Sequence, residues 1–564
     1  MIAVSRSTGR TIECGARLNL YVVALIAIAA YLVIVAAGRR LGLWKRFDVT
    51  FYGPVLMLKT TMGRGLIDSI AARRRFWRIY GTVSVIVTFA TTIVFTLLFL
   101  VAIYLASQGR TLPSASISEI GQPGVSPIAF VVFAVIGFGI AVLFHELVHG
   151  VLSVIAKIKV ESMGILLLLV PIGAFVEPND KELKKAPRSA RLRLFSAGPA
   201  TNLFVGVVVM AVLVGFVAPA ATSTSEGAVV TSVAPGSPAE VSGIATWSRI
   251  TGVGGEPIRD SSDFRNVSFV TPGSLISINF TRGGQDTVIA LPGGVVVTST
   301  TEGPAVNAAI APGMIVRSLN GTVIHSVTDL ESTVANASRQ IPVNISVMKL
   351  GFDRTAGMSW FVEDQSIRSV NLTSKWLYYY THYPSLNRPE YKNISYLGIA
   401  VAPFGILVDD TENILQPITH PFAGVNDPKG FVEASFAYIS LPFKGYAPLM
   451  PPTTDLSGPS GILSFMPQQA YWTLANLLYW IFWANIMLGI TNTLPALPLD
   501  GGLVIRDLLK GVAHRAGERL TGFDLAIGRR PLAEKRIDQL MIVVTGLVVL
   551  GFFYLLLGQF IGPF

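Results

Sequence analysis

The stretch Ile128-Ala-Phe-Val-Val-Phe-Ala-Val-Ile-Gly-Phe-Gly-Ile-Ala-Val-Leu-Phe-His145-Glu146-Leu-Val-His149-Gly150 decides how this chain is read. It opens as an uncharged apolar run and then carries two histidines and a glutamate. A bilayer core is crossed by about 20 helical residues, so the run reads as a membrane span. On a helix, His145 and His149 leave the same face and can share one metal ion, and Glu146 stands beside them as a general base. Ionisable residues inside a span are expensive, which makes this group a candidate functional site by default.

The remainder of the 564-residue chain agrees with a membrane setting. Hydrophobic residues make up 51% and charged residues only 14%, where soluble domains carry about a quarter charged. Six apolar runs are long enough to span: residues 18–37, 80–106, 128–155, 195–219, 470–494 and 538–562. The first follows a polar start and fits a retained span better than a cleaved signal. The single cysteine, Cys14, excludes an intramolecular disulfide framework.

Charge supplies the orientation. Lys and Arg outnumber Asp and Glu by 44 to 34, and the surplus is localised. Segments 38–80, 156–194 and 500–540 hold 26 basic against 12 acidic residues, whereas 222–395 holds 12 against 13. By the positive-inside rule the three basic segments are cytoplasmic and 220–469 lies outside. All seven Asn-Xaa-Ser/Thr sequons (Asn266, Asn279, Asn320, Asn336, Asn344, Asn371 and Asn393) fall in that outer stretch. Basicity is thereby a topology signal, with no nucleic-acid partner implied.

Between 222 and 372 the composition shifts to Val and Ile alternating with Gly, Ser, Thr and Asn, a pattern of short strands and turns. Ser237-Pro-Ala-Glu-Val-Ser-Gly-Ile244 lies over Gly303-Pro-Ala-Val-Asn-Ala-Ala-Ile310, and the same offset of 66 residues pairs Ile250 with Val316, Gly255 with Gly321 and Asp263 with Asp329. The pattern resembles a PDZ domain in duplicate, the second copy lacking the full Pro-Gly-Ser-Pro-Ala start. Such modules add an extended peptide at a sheet edge, so the resemblance implies peptide tails as partners.

A catalytic zinc needs a third protein ligand and an open position. The best candidate is Asp500, in Asn492-Thr-Leu-Pro-Ala-Leu-Pro-Leu-Asp500-Gly-Gly502, where Pro495 and Pro498 break the helix and the glycines let the backbone turn closely past a metal. The third and fifth spans run in the same direction, which brings both motifs to one depth near the cytoplasmic side. The fourth span opens with Phe195-Ser-Ala-Gly-Pro-Ala-Thr-Asn202, small residues for close helix contact and one intramembrane amide. The run 164–176 is too short to span and holds glycines and a proline, as in a re-entrant hairpin. A strand edge there, with Gly173, Phe175 and Val176, can pair with an unwound substrate.

Together, His145-Glu146-Leu-Val-His149, Gly173-Ala-Phe-Val-Glu-Pro178, Ala197-Gly-Pro-Ala-Thr-Asn202 and Leu499-Asp500-Gly-Gly502 resemble the site-2 protease family of zinc intramembrane metalloproteases. The resemblance implies one catalytic Zn2+ held by His145, His149 and Asp500, Glu146 as catalytic base, Asn202 as a helper near the metal, and transmembrane proteins in the lipid bilayer as substrates. The expected fold is a polytopic α-helical membrane protein of about six spans with an inserted α+β extracytoplasmic PDZ-like region. Its expected parts are N-terminal spans and a basic loop (1–110), a first catalytic part (111–219), two PDZ-like copies (220–295 and 296–375), a connector (376–469), a second catalytic part (470–510) and a last basic loop and span (511–564). Two other classes fit less of the sequence. A catalytically silent PDZ scaffold would not need an intact Glu146, and a metal-dependent transporter would show paired repeats across its spans.

Overall fold

The structure is a computed structural model that describes residues 29–42, 49–52, 55–60, 63–108, 127–168, 170–353, 359–383, 387–444, 453–521 and 526–561. Five described helices are long and apolar enough to cross a membrane: Arg74–Ser107, Val131–Ile155, Arg188–Ala220, Gln468–Thr493 and Glu534–Leu555. Of the remaining expected span, 18–37, residues 29 onward belong to a helix over 29–40, and the rest lies outside the described residues. The chain divides into two compact units, Met1–Phe216 with Leu441–Gly445 and Thr473–Phe564, and Val217–Ser440 with Tyr446–Trp472.

The first unit is helical with one small sheet. Its helices are α1 (Arg64–Ala71), α2 (Arg74–Ser107), α3 (Pro127–Ile155), α4 (Arg188–Val212), α5 (Gln468–Thr493), α6 (Asp500–Thr521) and α7 (Ala526–Ile561). In lipid, helices gain little from hiding apolar surface from one another, so close packing at small residues decides which of them meet. Gly137 of α3 is one such point: a Cβ there would lie 2.5 Å from the Trp480 carbonyl oxygen of α5. Gly489 of α5 meets Leu203 of α4 in the same way. One buried cluster, including Ile67, Val148, Val151, Leu152, Leu194, Phe195 and Val504, joins α1, α3, α4 and α6.

Residues 160–178 form an antiparallel hairpin, β3 (Val160–Leu168) and β4 (Val170–Pro178), as the run of glycines and apolar residues predicts. Its surroundings were not foreseen. The basic segment assigned to a loop contributes β1 (Val49–Tyr52) and β2 (Val55–Thr60), and the sheet runs β1-β2-β3-β4 with β4 at the edge. β2 approaches β3 so closely at Gly164 that a Cβ there would strike the Leu58 carbonyl. Lys59 closes the end of the sheet on Glu177 at 2.9 Å. The Ser162 hydroxyl and the Lys59 ammonium both bond the Glu177 carboxylate and hold it below the usual carboxylate range.

The second unit carries the repeat as architecture. Strands β5 (Ala228–Val233), β6 (Arg249–Val253), β7 (Glu256–Pro257), β8 (Leu275–Arg282) and β9 (Gln285–Pro292) recur as β10 (Val295–Thr300), β11 (Ile315–Leu319), β12 (Thr322–Val323), β13 (Val343–Asp353) and β14 (Ser359–Val370). Both copies place a bulge at the same point, between Ile250 and Gly252 and between Val316 and Ser318. Each sheet is completed by residues that the sequence reading had left in the connector. β15 (Ile399–Pro403) pairs with β10, and β16 (Ile406–Asp409) pairs with β5, giving the orders β9-β8-β6-β5-β16 and β14-β13-β11-β10-β15.

One segment, 399–409, therefore serves both sheets, and the turn between its two strands is buried. Phe404 is fully covered and has a φ of 57°. Its ring packs edge-on to Phe269 at 5.1 Å and over Phe264 at 6.3 Å, while its N–H donates to the Gly294 carbonyl between the copies. Residues of both copies join this segment in a single core cluster. Removing a buried phenylalanine ring costs about 3–5 kcal/mol, so Phe404→Ala is expected to loosen both copies at once. Limited proteolysis of the full-length protein in detergent checks this: new cleavages are expected within 228–292 and within 295–370 at the same protease concentration, and loosening of one copy alone would refute the coupling.

Candidate metal centre

His145 and His149 lie on α3, and the 3.6-residue period turns both rings toward α4 and the start of α6. Their Nε2 atoms are 3.1 Å apart, and Asp500 Oδ2 lies 3.1 Å from the first and 3.2 Å from the second. Among the described residues these three side chains form the one group of His, Cys, Asp or Glu side chains spaced to hold a metal ion. All three are largely buried.

The donor set fits zinc. Zinc bonds of about 2.0–2.1 Å in a tetrahedron separate neighbouring ligand atoms by about 3.3–3.4 Å, close to the triangle observed here. A structural zinc takes four protein ligands, whereas three leave a position for water or substrate. The outer faces of both rings are also engaged. Nδ1 of His149 donates to the Leu194 carbonyl at 2.9 Å, which leaves the Nε2 lone pair available to a metal. The Asn202 amide lies 3.2 Å from Nδ1 of His145. When Nε2 lends its lone pair to a metal, Nδ1 carries the ring proton and donates it, so the amide oxygen is the end that serves there. That oxygen is otherwise buried without a partner among the described residues.

Two features of the centre were undervalued in the sequence. Gly198 of α4 faces both imidazoles: a Cβ would lie 2.4 Å from His149 Nε2 and 2.6 Å from His145 Nε2. Only a residue without a side chain lets α4 come this near. The glycines after Asp500 have a different role from the expected one. The sequence reading has Gly501 and Gly502 turn the backbone past a metal, but their Cα atoms sit against the carbonyls of Thr493 and Ala496 in the preceding turn. Asp500 begins a new helix, α6, at an end whose free N–H groups suit a carboxylate. α6 is fastened to α4 by Arg191, whose Nε donates to the buried Asp507 at 2.7 Å.

Glu146 points to the sheet. Its Oε2 accepts the N–H of Val176 at 3.0 Å, which ties the glutamate of the histidine-bearing helix to the edge strand β4. Of the other residues expected on that strand, Phe175 pairs with Gly164 and Gly173 with Leu166. At Gly173 a Cβ would meet Leu166 at 3.5 Å, an ordinary contact, so no close approach requires glycine at that position. Asn202, His145, His149 and Asp500 are thus brought together, Glu146 is joined to Val176, and Gly173 and Phe175 share the strand.

Long apolar helices around a buried His-His-Asp group, with the glutamate of the helical motif alongside, describe a polytopic membrane protein with a candidate metal centre. The chain matches Peptidase family M50 over residues 133–523, more than half its length, and belongs to that family. It is also 31% identical over 188 residues to an uncharacterized protein of Methanocaldococcus jannaschii, a match covering 33% of this chain and 48% of that one. The chain thus spans about half the length of this relative.

Gly198→Ala is expected to push the two imidazoles apart and weaken zinc binding at least about tenfold, the scale of losses on disturbing the groups around a metal. Gly173→Ala, which meets only ordinary contacts, is expected to bind as the wild type does. Metal analysis of the purified proteins after dialysis separates the two outcomes.

Proposed function

We propose that this protein is an intramembrane zinc endopeptidase that hydrolyses peptide bonds in or beside the transmembrane segments of membrane-anchored proteins. The observation that carries the reading is the triangle of His145, His149 and Asp500 with Glu146 on the same helical motif, set among apolar helices. His145, His149 and Asp500 would hold the ion; zinc, when bound, acidifies water and polarises a carbonyl. Glu146 takes a proton from the attacking water and returns it to the leaving amine. Asn202 and the Leu194 carbonyl keep the imidazoles in the tautomer that presents Nε2 inward.

A helical substrate hides its carbonyls in its own hydrogen bonds and must be extended before attack. In this reading the open edge of β4 receives the unwound segment as an added strand, which keeps both backbones satisfied away from water. Val176, Phe175 and Gly173 line that strand, and the hydrogen bond from Val176 to Glu146 gives the edge a direct link to the base. The two repeated sheets of the second unit act as PDZ-like modules outside the membrane that hold peptide tails of substrates. The metal centre then lies toward the cytoplasmic side, in keeping with the basic segments 38–80, 156–194 and 500–540.

Purified protein and a model transmembrane substrate test the reading. Glu146→Gln is expected to keep stoichiometric zinc and lose cleavage by about 10²-fold or more, the usual contribution of a general base. Asp500→Ala is expected to lose both metal and cleavage. Equal cleavage by wild type and Glu146→Gln, or a wild type without stoichiometric metal, would sink the proposal.

A further inference from the structure

The turn that delivers Asp500 is gripped by helices outside the part of the chain that matches the family. α5 ends at Thr493 and α6 starts at Asp500, so the backbone of 494–499 makes few of the bonds a helix would give it. Away from water, such groups need protein partners. Two threonines provide them. Thr92 of α2 is buried, and its hydroxyl lies 2.7 Å from the Thr493 carbonyl oxygen and 2.8 Å from that of Thr88. A threonine in a helix commonly donates only to its own preceding turn; here the single proton is shared with the end of another helix. Thr545 of α7 accepts the N–H of Leu497 at 2.8 Å and donates its own proton to the Met541 carbonyl at 2.7 Å.

These bonds bear on the ligand through the backbone. The Thr493 carbonyl that Thr92 holds is the group lying against Gly501, where a Cβ would come within 2.1 Å of its oxygen. Thr92 thus fixes the surface on which the first turn of α6 rests, and Thr545 fixes the turn three residues before Asp500. The two helices brace each other, with the Phe99 and Phe552 rings 5.1 Å apart and Gly551 fitted under Ile103. Both threonines lie outside residues 133–523.

We infer that Thr92 and Thr545 are positioning residues for the third metal ligand: they clamp the 493–499 turn from two sides and so set where the Asp500 carboxylate stands relative to the two imidazoles. The inference rests on the assignment of Asp500 to a metal in the proposed function. Neither threonine touches the ligands or the substrate in this role.

The test uses the full-length protein in detergent, with zinc affinity measured by chelator competition and ligand geometry by the visible absorption spectrum of the Co2+-substituted protein. Thr92→Val and Thr545→Val keep the shape and remove the hydroxyl. Each is expected to weaken zinc about tenfold and to shift the cobalt bands, the double variant more than either. Thr92→Ser and Thr545→Ser are expected to restore both readouts. Thr96→Val, one turn along α2, removes a buried hydroxyl that has no partner among the described residues and is expected to match the wild type. If Thr92→Val does not give monodisperse protein, Thr545→Val with its serine counterpart decides the question. Valine variants with wild-type affinity and an unshifted cobalt spectrum overturn the clamp alone. A wild type that holds no stoichiometric metal overturns the assignment of Asp500 and the clamp with it.

Discussion

A carboxylate set against two imidazoles among apolar helices is the interaction on which the rest of the first unit depends. An ionised group removed from water is tolerated only when opposite charge and hydrogen bonds replace its hydration. Asp500 has two Nε2 atoms at 3.1 and 3.2 Å, a geometry in which a cation completes the compensation. Three side chains from two helices separated by more than three hundred residues can meet at that spacing only if the surrounding helices pack without slack. The packing therefore uses backbone more than side chains. Gly137 brings α3 onto α5, Gly198 brings α4 onto the imidazoles, and Gly501 seats α6 on the turn before it.

What was legible in the sequence follows from how local each signal is. His145 and His149 lie four residues apart on one helix, so their common face, with Glu146 beside it, could be read from spacing alone. The 66-residue repeat was visible for a similar reason, because equal offsets carry β6, with the bulge inside it, and β7 onto β11 and β12. Pairing across long separations leaves no such trace. β2 meets β3 more than a hundred residues away, and β15 and β16 return to strands laid down far earlier in the chain. Each is a short apolar run whose sequence is as suitable for a connector as for a strand. The Gly53-Pro54 dipeptide between two runs of strand-forming residues was a local hint of β1 and β2 in the sequence.

The glycines show a second limit. Composition marks a position where backbone must come close to something, but the identity of the neighbour is a tertiary fact. At Gly501 and Gly502 the neighbour is the chain itself, whereas at Gly198 it is the pair of histidine rings. The contact partners reversed the weight that the motif alone assigned to these residues. Similarly, the sequence does not tell the threonines of α2 apart, yet Thr88 and Thr92 donate to the carbonyls of Ser196 and Thr493 on neighbouring helices.

The segment that holds β15 and β16 has a consequence for how such a repeat can evolve. In an open array each repeat contacts only its neighbours, so copies are gained or lost by duplication without disturbing the rest. Here the last strand of each sheet comes from one shared segment downstream of both, and Phe404 seals the junction. A third copy inserted between them would find no strand to complete its edge, and deletion of either would leave half of that segment unpaired. The tandem is closed at two, and its lineage can change the surface of each copy far more easily than their number.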